Sequence, residues 1–295
     1  MKKLFDAPST PSDFNIQCDD NIFVPKGVVK KLKRVALEMI QTASLNRNKV
    51  IIKESHFDEI KSSPQQQKIT VKVETLEQYN YCITNNNLDV FVSENLRISH
   101  PNIYQNRIIK DYRKYQEYDQ VIIQDFGSLI ELDTKKLTAN YHMNIVNSYS
   151  VFSMVKRGVT KIGLSLESTF ENTSKLINEY VLKHKTLPNL EVMIYGRNDN
   201  MISKYCPITK SEGVNRINCN LCVNNKYALI NSFEKELPLI RDTECNIRVL
   251  NHKPINLINQ LKKYKEVGIS NFRIEFTIES KDEVQNIINK VLMVL

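Results

Sequence analysis

The sequence predicts an α/β fold, a TIM-like (β/α) barrel that carries a cysteine-bearing insertion after a late strand. Two observations support this prediction. From Lys68 onward, short β-branched runs alternate with helical segments, which is typical of a parallel sheet with helices outside it. Seven such strands follow one another in this way, with one or two more available, and they suit a closed barrel better than an open sheet.

The predicted elements follow one another in a regular order. Strands are predicted at residues 69–73, 89–92, 120–124, 137–141, 161–166, 191–195 and 272–276. Helices are predicted at residues 76–84, 108–117, 148–156, 173–184, 256–267 and 281–292. The chain has 295 residues, of which 41% are hydrophobic, so it can bury a substantial core. We assign the barrel to residues 66–295.

Residues 1–65 differ from the rest and are predicted to form a separate N-terminal segment. A short strand is predicted at 14–18, and a basic amphipathic helix at about 28–43. Its apolar residues recur at helical spacing, and four basic residues surround them. That basic face is either an RNA contact or an ordinary solvated helix face. The polar stretch at 61–67 contains a proline and is typical of a linker.

One stretch, residues 198–254, interrupts the alternation and is interpreted as an insertion in the barrel. It lacks a clean amphipathic helix, and strands are predicted within it at 227–231 and 246–250. Insertions of this length within a compact domain are usually functional. Because it follows the strand that ends at Tyr195, we expect it on the face where barrel enzymes place their active sites.

Four of the six cysteines lie in this insertion, with the spacing C-x12-C-x2-C-x22-C: Cys206, Cys219, Cys222 and Cys245. The central C-x2-C pair can direct both sulfurs toward a common point. Four thiolates suit either a [4Fe–4S] cluster or a zinc ion, and the softness of sulfur does not separate the two. The alternative is four unrelated thiols. Cys18 and Cys82 stand alone among apolar neighbours and are predicted to be small core residues.

Composition indicates where the protein works and what it meets. No apolar run approaches the roughly 20 residues that span a bilayer, and no apolar stretch of a signal peptide follows the first lysines. We therefore expect a cytoplasmic protein without a membrane partner, whose thiols stay reduced. The formal net charge of +8 is consistent with an anionic partner such as RNA, or with a codon bias toward lysine and asparagine.

The end of the strand at 191–195 and the cysteines that follow it resemble a known family. The segment 192–208 contains Tyr195-Gly196-Arg197, then Met201 and Cys206, and it is similar to the corresponding segment of the collagenase-like peptidases, peptidase U family 32. The remaining three cysteines follow in the family's order, and segments 141–150 and 164–168 are also similar. The resemblance covers residue 68 to the end of the chain. Residues 14–43 resemble the end of the collagenase-associated middle domain found in longer members.

The resemblance implies a fold, an activity and a partner. Long members carry a first barrel ahead of this region, so the chain resembles their C-terminal half, and a separate first-barrel subunit is an expected partner. The historical label of the family is peptidase. Better-understood relatives hydroxylate tRNA, ribosomal RNA or a quinone precursor without oxygen, and they hold a [4Fe–4S] cluster on four cysteines. The implied ligands here are Cys206, Cys219, Cys222 and Cys245.

Candidate catalytic residues lie at the ends of predicted strands: Asn144, Asn147, Glu167 and Arg197. Arg197 is the preferred anion holder, because a guanidinium binds a carboxylate or phosphate in two places. Glu275 follows Arg273 on the polar face of a strand, and we expect the two to pair with neighbours.

The chain lacks the G-x-S-x-G and H-E-x-x-H motifs of hydrolases. His142 is the histidine nearest a predicted barrel mouth, and hydrogen-bonded packing is its expected role. With no hydrolase motif to support proteolysis, the resemblance implies an iron–sulfur protein of RNA-type hydroxylation as the first hypothesis. The alternative is a non-catalytic scaffold stabilised by zinc or a cluster, and a collagenase-like protease ranks third.

Overall fold

The computed structural model describes residues 22–47, 69–132, 136–215 and 219–295. The chain forms two compact units, Met1–His56 and Phe57–Leu295. Within the first unit the described residues contain one helix, α1 (Lys26–Arg47), which confirms the predicted basic helix. The strand predicted at 14–18 and the linker predicted at 61–67 lie outside the described residues. Among the helices described, none is both long and apolar enough to cross a bilayer.

The second unit contains the remaining described elements. Its strands are β1 (Ile69–Val73), β2 (Leu88–Ser93), β3 (Asn102–Tyr104), β4 (Gln120–Ile123), β5 (Lys136–Ala139), β6 (Val159–Gly163), β7 (Leu190–Gly196), β8 (Asp199–Ser203), β9 (Tyr227–Ile230), β10 (Glu236–Arg241), β11 (Ile247–Leu250), β12 (Ile255–Asn256) and β13 (Asn271–Glu275). Its helices are α2 (Leu76–Cys82), α3 (Gly127–Glu131), α4 (Ser148–Lys156), α5 (Phe170–His184), α6 (Pro207–Ser211), α7 (Leu221–Asn224), α8 (Leu261–Glu266) and α9 (Lys281–Val294).

Eight parallel strands close into a barrel. Strands β1 to β6 pair with one another in chain order, and β13 lies between β1 and β7 and pairs with both. The ring is closed by parallel pairing of β6 with β7. Strand β12 adds an antiparallel pairing to the end of β7. This closed parallel sheet with flanking helices confirms the predicted TIM-like (β/α) barrel.

The period of two along β1 shows how the sequence builds the barrel wall. Ile69, Val71 and Val73 belong to the apolar core that also contains the buried residues of the surrounding helices. The alternate residues, Thr70 and Lys72, are equally buried but make polar contacts across the barrel. The outside of the wall is therefore apolar, and its inside is largely polar.

Helices α2, α4 and α9 begin with capping boxes, which satisfy backbone N–H groups at their first turns. Helix α9 buries Val284, Ile288 and Val291 at helical spacing. Cys82, at the end of α2, is fully buried in the same core, which confirms its predicted packing role.

The helix predicted at 108–117 is wrong. The only helical geometry there is a single 3₁₀ turn, Arg113–Tyr115. The side chain of Asp111 accepts from the backbone N–H of Arg113 at 3.0 Å, which favours a turn over a helix. Tyr115 is fully buried, and its hydroxyl donates to Glu94. Local side-chain bonding and a buried tyrosine thus override the helical pattern.

Two further elements differ from the prediction. Strand β3 was not predicted, because its three residues are too few to show alternation. The predicted helix 256–267 is only partly confirmed, since its first residues form β12 and a 3₁₀ turn, Ile258–Gln260, before α8 begins. Both differences arise in short segments, where pairing with a neighbouring strand determines the conformation.

The insertion folds as a four-stranded antiparallel sheet in the order β8, β11, β10, β9. Two of these strands, β9 and β11, confirm the predicted strands at 227–231 and 246–250. Its own small apolar core contains Cys206, Ile208, Leu239, Ile247 and Val249. This core is separate from the barrel core, so the insertion packs as a subdomain of its own.

Candidate functional site

The insertion places its four cysteines in its connections. Cys206 immediately precedes α6, and Cys219 lies just before α7, which itself contains Cys222. Cys245 lies in the tight turn between β10 and β11, with a φ of 58°. That left-handed conformation is unfavourable for a residue other than glycine, and strain of this kind clusters at functional sites.

The cysteines interact with one another electrostatically. Burial raises the pKa of the Cys222 thiol, and the neighbouring thiols of Cys206, Cys219 and Cys245 raise it further. The guanidinium of Arg241 opposes them. Among the described residues, no three His, Cys, Asp or Glu side chains converge closely enough to hold a single metal ion. The electrostatic coupling shows that the four thiols are neighbours.

The surroundings of these thiols fit a cysteine-ligated metal group. Cys206 is buried in the small core of the insertion, and Cys222 packs against that core. The Nη1 of Arg241 donates to the Sγ of Cys245 at 3.6 Å. Four soft donors, an apolar cover and a nearby cation suit a thiolate-bound metal, because they stabilise the negative charge of the ligands.

The barrel interior holds a buried network of opposite charges. Arg273 Nε donates to Glu191 at 2.5 Å, and its Nη1 donates to Glu275 at 3.2 Å. Lys161 Nζ also lies 3.1 Å from Glu191, and Thr70 donates to the same carboxylate at 2.5 Å. Because each buried charge has an opposite partner, the cost of removing it from water is largely offset. The Arg273–Glu275 pair confirms the expected pairing.

A second network joins the insertion to the barrel mouth. Arg248 of β11 is buried between Asp199 at 3.0 Å and Glu74 at 3.5 Å, and Lys72 bonds the same Glu74. Burial acts to raise the pKa of Glu74, but Lys72 and Arg248 outweigh it and hold this pKa at about 2. The carboxylate is therefore ionised at neutral pH, and Arg248 anchors the insertion over the mouth.

A groove of about 940 Å³ lies between the insertion sheet and the loops at the barrel mouth. The loop after β1 contributes Glu74 and Thr75, and the insertion contributes Tyr227 and Arg241. Cys222 also lines it, so the cysteine site and the groove share a wall. The volume lies within the range of small-molecule binding sites.

Arg197 lies in this region, but its guanidinium is already engaged. Its Nη1 donates to the backbone oxygens of Asn251 at 3.2 Å and His252 at 2.7 Å, and its Nε lies 3.5 Å from Glu279. The preceding Gly196 has a φ of 155°, and a Cβ there would approach the backbone oxygen of Glu275 to 3.0 Å. The Tyr-Gly-Arg turn therefore holds the loop around residue 251.

The other three predicted catalytic candidates are exposed residues in turns or at the start of a helix. Asn144 has a φ of 55° after a 3₁₀ turn and accepts from Ser165 at 2.6 Å. Asn147 caps α4 by accepting from the backbone of Ser150 at 2.9 Å. Glu167 is exposed. The two asparagines thus serve local structure, and Ser165 links Asn144 to the backbone N–H of Glu167, which donates to its hydroxyl at 3.2 Å.

His142 is hydrogen-bonded beneath the insertion. Its Nδ1 lies 2.8 Å from Gln124 Oε1. Burial lowers its pKa to about 2, and the positive charges of Arg107, Arg248 and Arg273 act in the same direction. A histidine with so low a pKa is a weak base at neutral pH, because proton transfer is efficient only when the pKa lies near the working pH.

Sequence reasoning missed the charged residues that matter most in this structure: Lys72, Glu74, Glu191, Asp199 and Arg248. Lys72 and Glu191 could have been found from the sequence, because each is a charged residue within an apolar strand. Charged residues at alternate positions of such strands indicate a polar barrel interior. The position of Arg248 had no such signal, because its role depends on the insertion folding back over the barrel.

The internal network predicts a loss of stability in acid. Burial would raise the pKa of Glu191, but Arg273 and Lys161 hold it at about 2, below the ordinary 4.5. Because the folded-state pKa is the lower one, the ionised carboxylate stabilises the fold above about pH 4.5, and this contribution is lost as the pH falls toward about 2. Between about pH 7 and about pH 3, urea unfolding should show a loss on the order of 2 kcal/mol from this group, because at pH 3 the folded-state carboxylate is still largely ionised.

The variant Glu191→Gln is the control for this pH dependence. It cannot ionise, so its stability should change less between the two pH values than that of the wild type, although it starts lower. An equal pH dependence in both proteins would mean that other groups govern acid unfolding.

The chain is similar to one family of known proteins. A sequence model of peptidase family U32 matches residues 64–295. No curated protein matches the chain. Among solved structures, the U32 peptidase Mk0906 is similar at 12% sequence identity, over 77% of this chain and 99% of that one, with a TM-score of 0.35. Since the family model spans well over half of its length, the chain belongs to peptidase family U32.

Proposed function

We propose that this member of the family is an iron–sulfur protein, in which Cys206, Cys219, Cys222 and Cys245 hold a [4Fe–4S] cluster. The observation that supports the proposal is the gathering of the other three cysteines of the insertion around Cys222, which itself lines the groove at the barrel mouth. The reaction class we assign is oxygen-independent hydroxylation of the RNA-modification type.

One contact favours a cluster over zinc. The guanidinium of Arg241 donates to the Sγ of Cys245, and hydrogen bonds to ligand sulfur tune the potential of a bound cluster.

When bound, such a cluster supplies one-electron transfer. Replacing a C–H bond of the substrate by a C–OH bond with oxygen from water releases two electrons and two protons overall. We assign the electrons to two equivalents of a soluble one-electron acceptor and the protons to solvent. The contribution of this chain is to bind and orient the substrate in the groove. Arg97, Lys226 and Arg241 line the groove together with four glutamates, and we assign the contacts with phosphates of tRNA or ribosomal RNA to these three cations.

The test is the metal content of the full chain, purified without oxygen in the cytoplasm-like reducing conditions that the thiols require. We expect about four irons and about four acid-labile sulfides per chain, with a broad visible absorbance. One zinc and no colour would replace the cluster by a structural zinc site. A protein that holds neither metal would overturn both assignments.

The alternative function is a non-catalytic scaffold in which the same cysteines bind zinc. In this alternative the chain acts as the partner of a separate first-barrel subunit. The feature that favours it is the C-x2-C pair at the start of the short α7, a spacing common in structural zinc sites. In that case removal of the metal should unfold the insertion without any change in redox behaviour.

Proteolysis is the third hypothesis, and the pKa values of the cysteine and histidine side chains argue against it. A cysteine nucleophile needs a lowered pKa and a histidine base near neutrality. Here the pKa of Cys222 is raised, and that of His142 is lowered to about 2. We expect no cleavage of gelatin or casein by the purified protein, and cleavage that depends on Cys222 would restore the peptidase assignment.

A further inference from the structure

Arg241 belongs to the groove and to the cysteine site at once. It is the last residue of β10, and it lines the groove of about 940 Å³ at the barrel mouth. Its Nη1 donates to the Sγ of Cys245 at 3.6 Å, and its positive charge also acts on the thiol of Cys222. One side chain therefore borders the space open to a ligand and contacts a predicted metal ligand.

The positive charge of Arg241 is not balanced by a carboxylate. Its side chain is half-buried, and no described Asp or Glu forms an ion pair with it. Its bond to Cys245 uses one nitrogen of the guanidinium, which has five N–H donors in all. The remaining donors are suited to an oxyanion in the groove, because a guanidinium can bind such a group in two places.

The four glutamates that line the groove leave this charge in place. Glu74 and Glu279 already have cationic partners. Glu77 and Glu236 are exposed, so water and salt screen their charges. The other two cations of the groove, Arg97 and Lys226, are exposed as well. An anion that enters the groove near the thiols therefore meets Arg241.

A cation beside a ligand sulfur changes the redox properties of a cluster. It stabilises the reduced state, which carries one more negative charge, and so it raises the reduction potential. An anion bound to the same guanidinium offsets part of the positive charge and lowers that potential. Because such couplings are reciprocal, the reduced protein must then bind the anion more weakly, by the factor that corresponds to the shift in potential.

We propose that Arg241 couples ligand binding in the groove to the redox state of the metal group. The ligand is a phosphate-type oxyanion, and it accepts from the N–H groups of Arg241 that Cys245 does not use. The oxidised protein binds this anion more tightly than the reduced protein does, so that reduction favours release. Since Cys245 is a ligand of the cluster proposed above, this coupling rests on the proposed function.

The test is the reduction potential of the full chain with its cluster, titrated with dithionite and followed by visible absorbance. It is measured with and without saturating inorganic phosphate at constant ionic strength. We expect phosphate to lower the potential by about 59 mV, which corresponds to about tenfold weaker binding by the reduced protein in a one-electron couple. A short single-stranded RNA replaces phosphate in a second titration. A shift with RNA alone identifies a phosphodiester ligand, and a shift with phosphate alone identifies a free phosphate.

Two variants of Arg241 and one control separate the coupling from binding. Arg241→Gln should lower the potential of the free protein and abolish its response to the anion, whereas Arg241→Lys keeps the charge and should retain part of the response. Arg97→Gln removes an exposed cation of the same groove that contacts no cysteine among the described residues. It should weaken the anion in both redox states equally, so the shift at saturation should stay. Iron and sulfide contents show that each variant keeps its cluster.

The outcomes distinguish this coupling from the cluster assignment. An unchanged potential with saturating phosphate and with RNA, in a protein that holds its cluster, would overturn the coupling alone. A full response in Arg241→Gln, or its loss in Arg97→Gln, would do the same. If Arg241→Gln loses its cluster, a response in Arg241→Lys equal to that of the wild type would overturn the coupling, and a smaller one supports it. A protein without a cluster would overturn the proposed function and the coupling together.

Discussion

Replacing Arg273 with Met should lower the free energy of unfolding by about 3–5 kcal/mol, the usual loss when one partner of a buried ion pair is removed. Arg273 is 1% exposed and holds Glu191, Glu275 and the side-chain oxygen of Asn140. Without it, two carboxylates stay buried with fewer partners, and they must either remain desolvated or take up protons. Urea unfolding at neutral pH measures the change directly.

A matched control is Arg113→Met, which removes an exposed pairing with Asp111 and should change stability little. The double variant Arg273→Met with Glu191→Gln should recover part of the loss, since it removes one of the stranded charges. A loss below about 1 kcal/mol for Arg273→Met would show that the interior network is hydrated and contributes little.

The barrel could be predicted because its strands repeat one local pattern. Runs such as Ile69–Val73 are recognisable from their β-branched residues, and β-then-α order leaves few possible topologies. The short β3 and the loop after it could not be predicted in this way. Their conformation depends on pairing with β2 and β4 and on the buried contact between Tyr115 and Glu94.

The candidate site could be predicted only where the spacing of residues along the sequence indicates it, as the four cysteines do. The cysteine pattern pointed to one site, and the structure brings those thiols near one another. The polar candidates were chosen from predicted strand ends, but such positions serve caps and turns as often as substrates, as Asn147 illustrates. The position of Arg248 depends on tertiary contacts between segments far apart in sequence, which no local pattern records.

The variant Cys219→Ala should lose the bound metal and lower the melting temperature of the full chain. Metal binding at a four-thiolate site is coupled to folding, so loss of one ligand reduces both occupancy and stability. Cys219 is the best choice among the four, because Cys206 packs in the small core and Cys245 occupies a strained turn. Iron, sulfide and zinc content, with the visible spectrum, give the occupancy.

The matched control is Cys82→Ala, which removes a buried thiol from the barrel core, far along the sequence from the insertion. It should cost stability through lost packing while leaving the metal content unchanged. This pair distinguishes ligation from packing, since both variants remove one sulfur but only one of them should remove metal. Equal metal content in Cys219→Ala and wild type would contradict the four-ligand assignment, and metal loss in Cys82→Ala would mean that the ligands were wrongly identified.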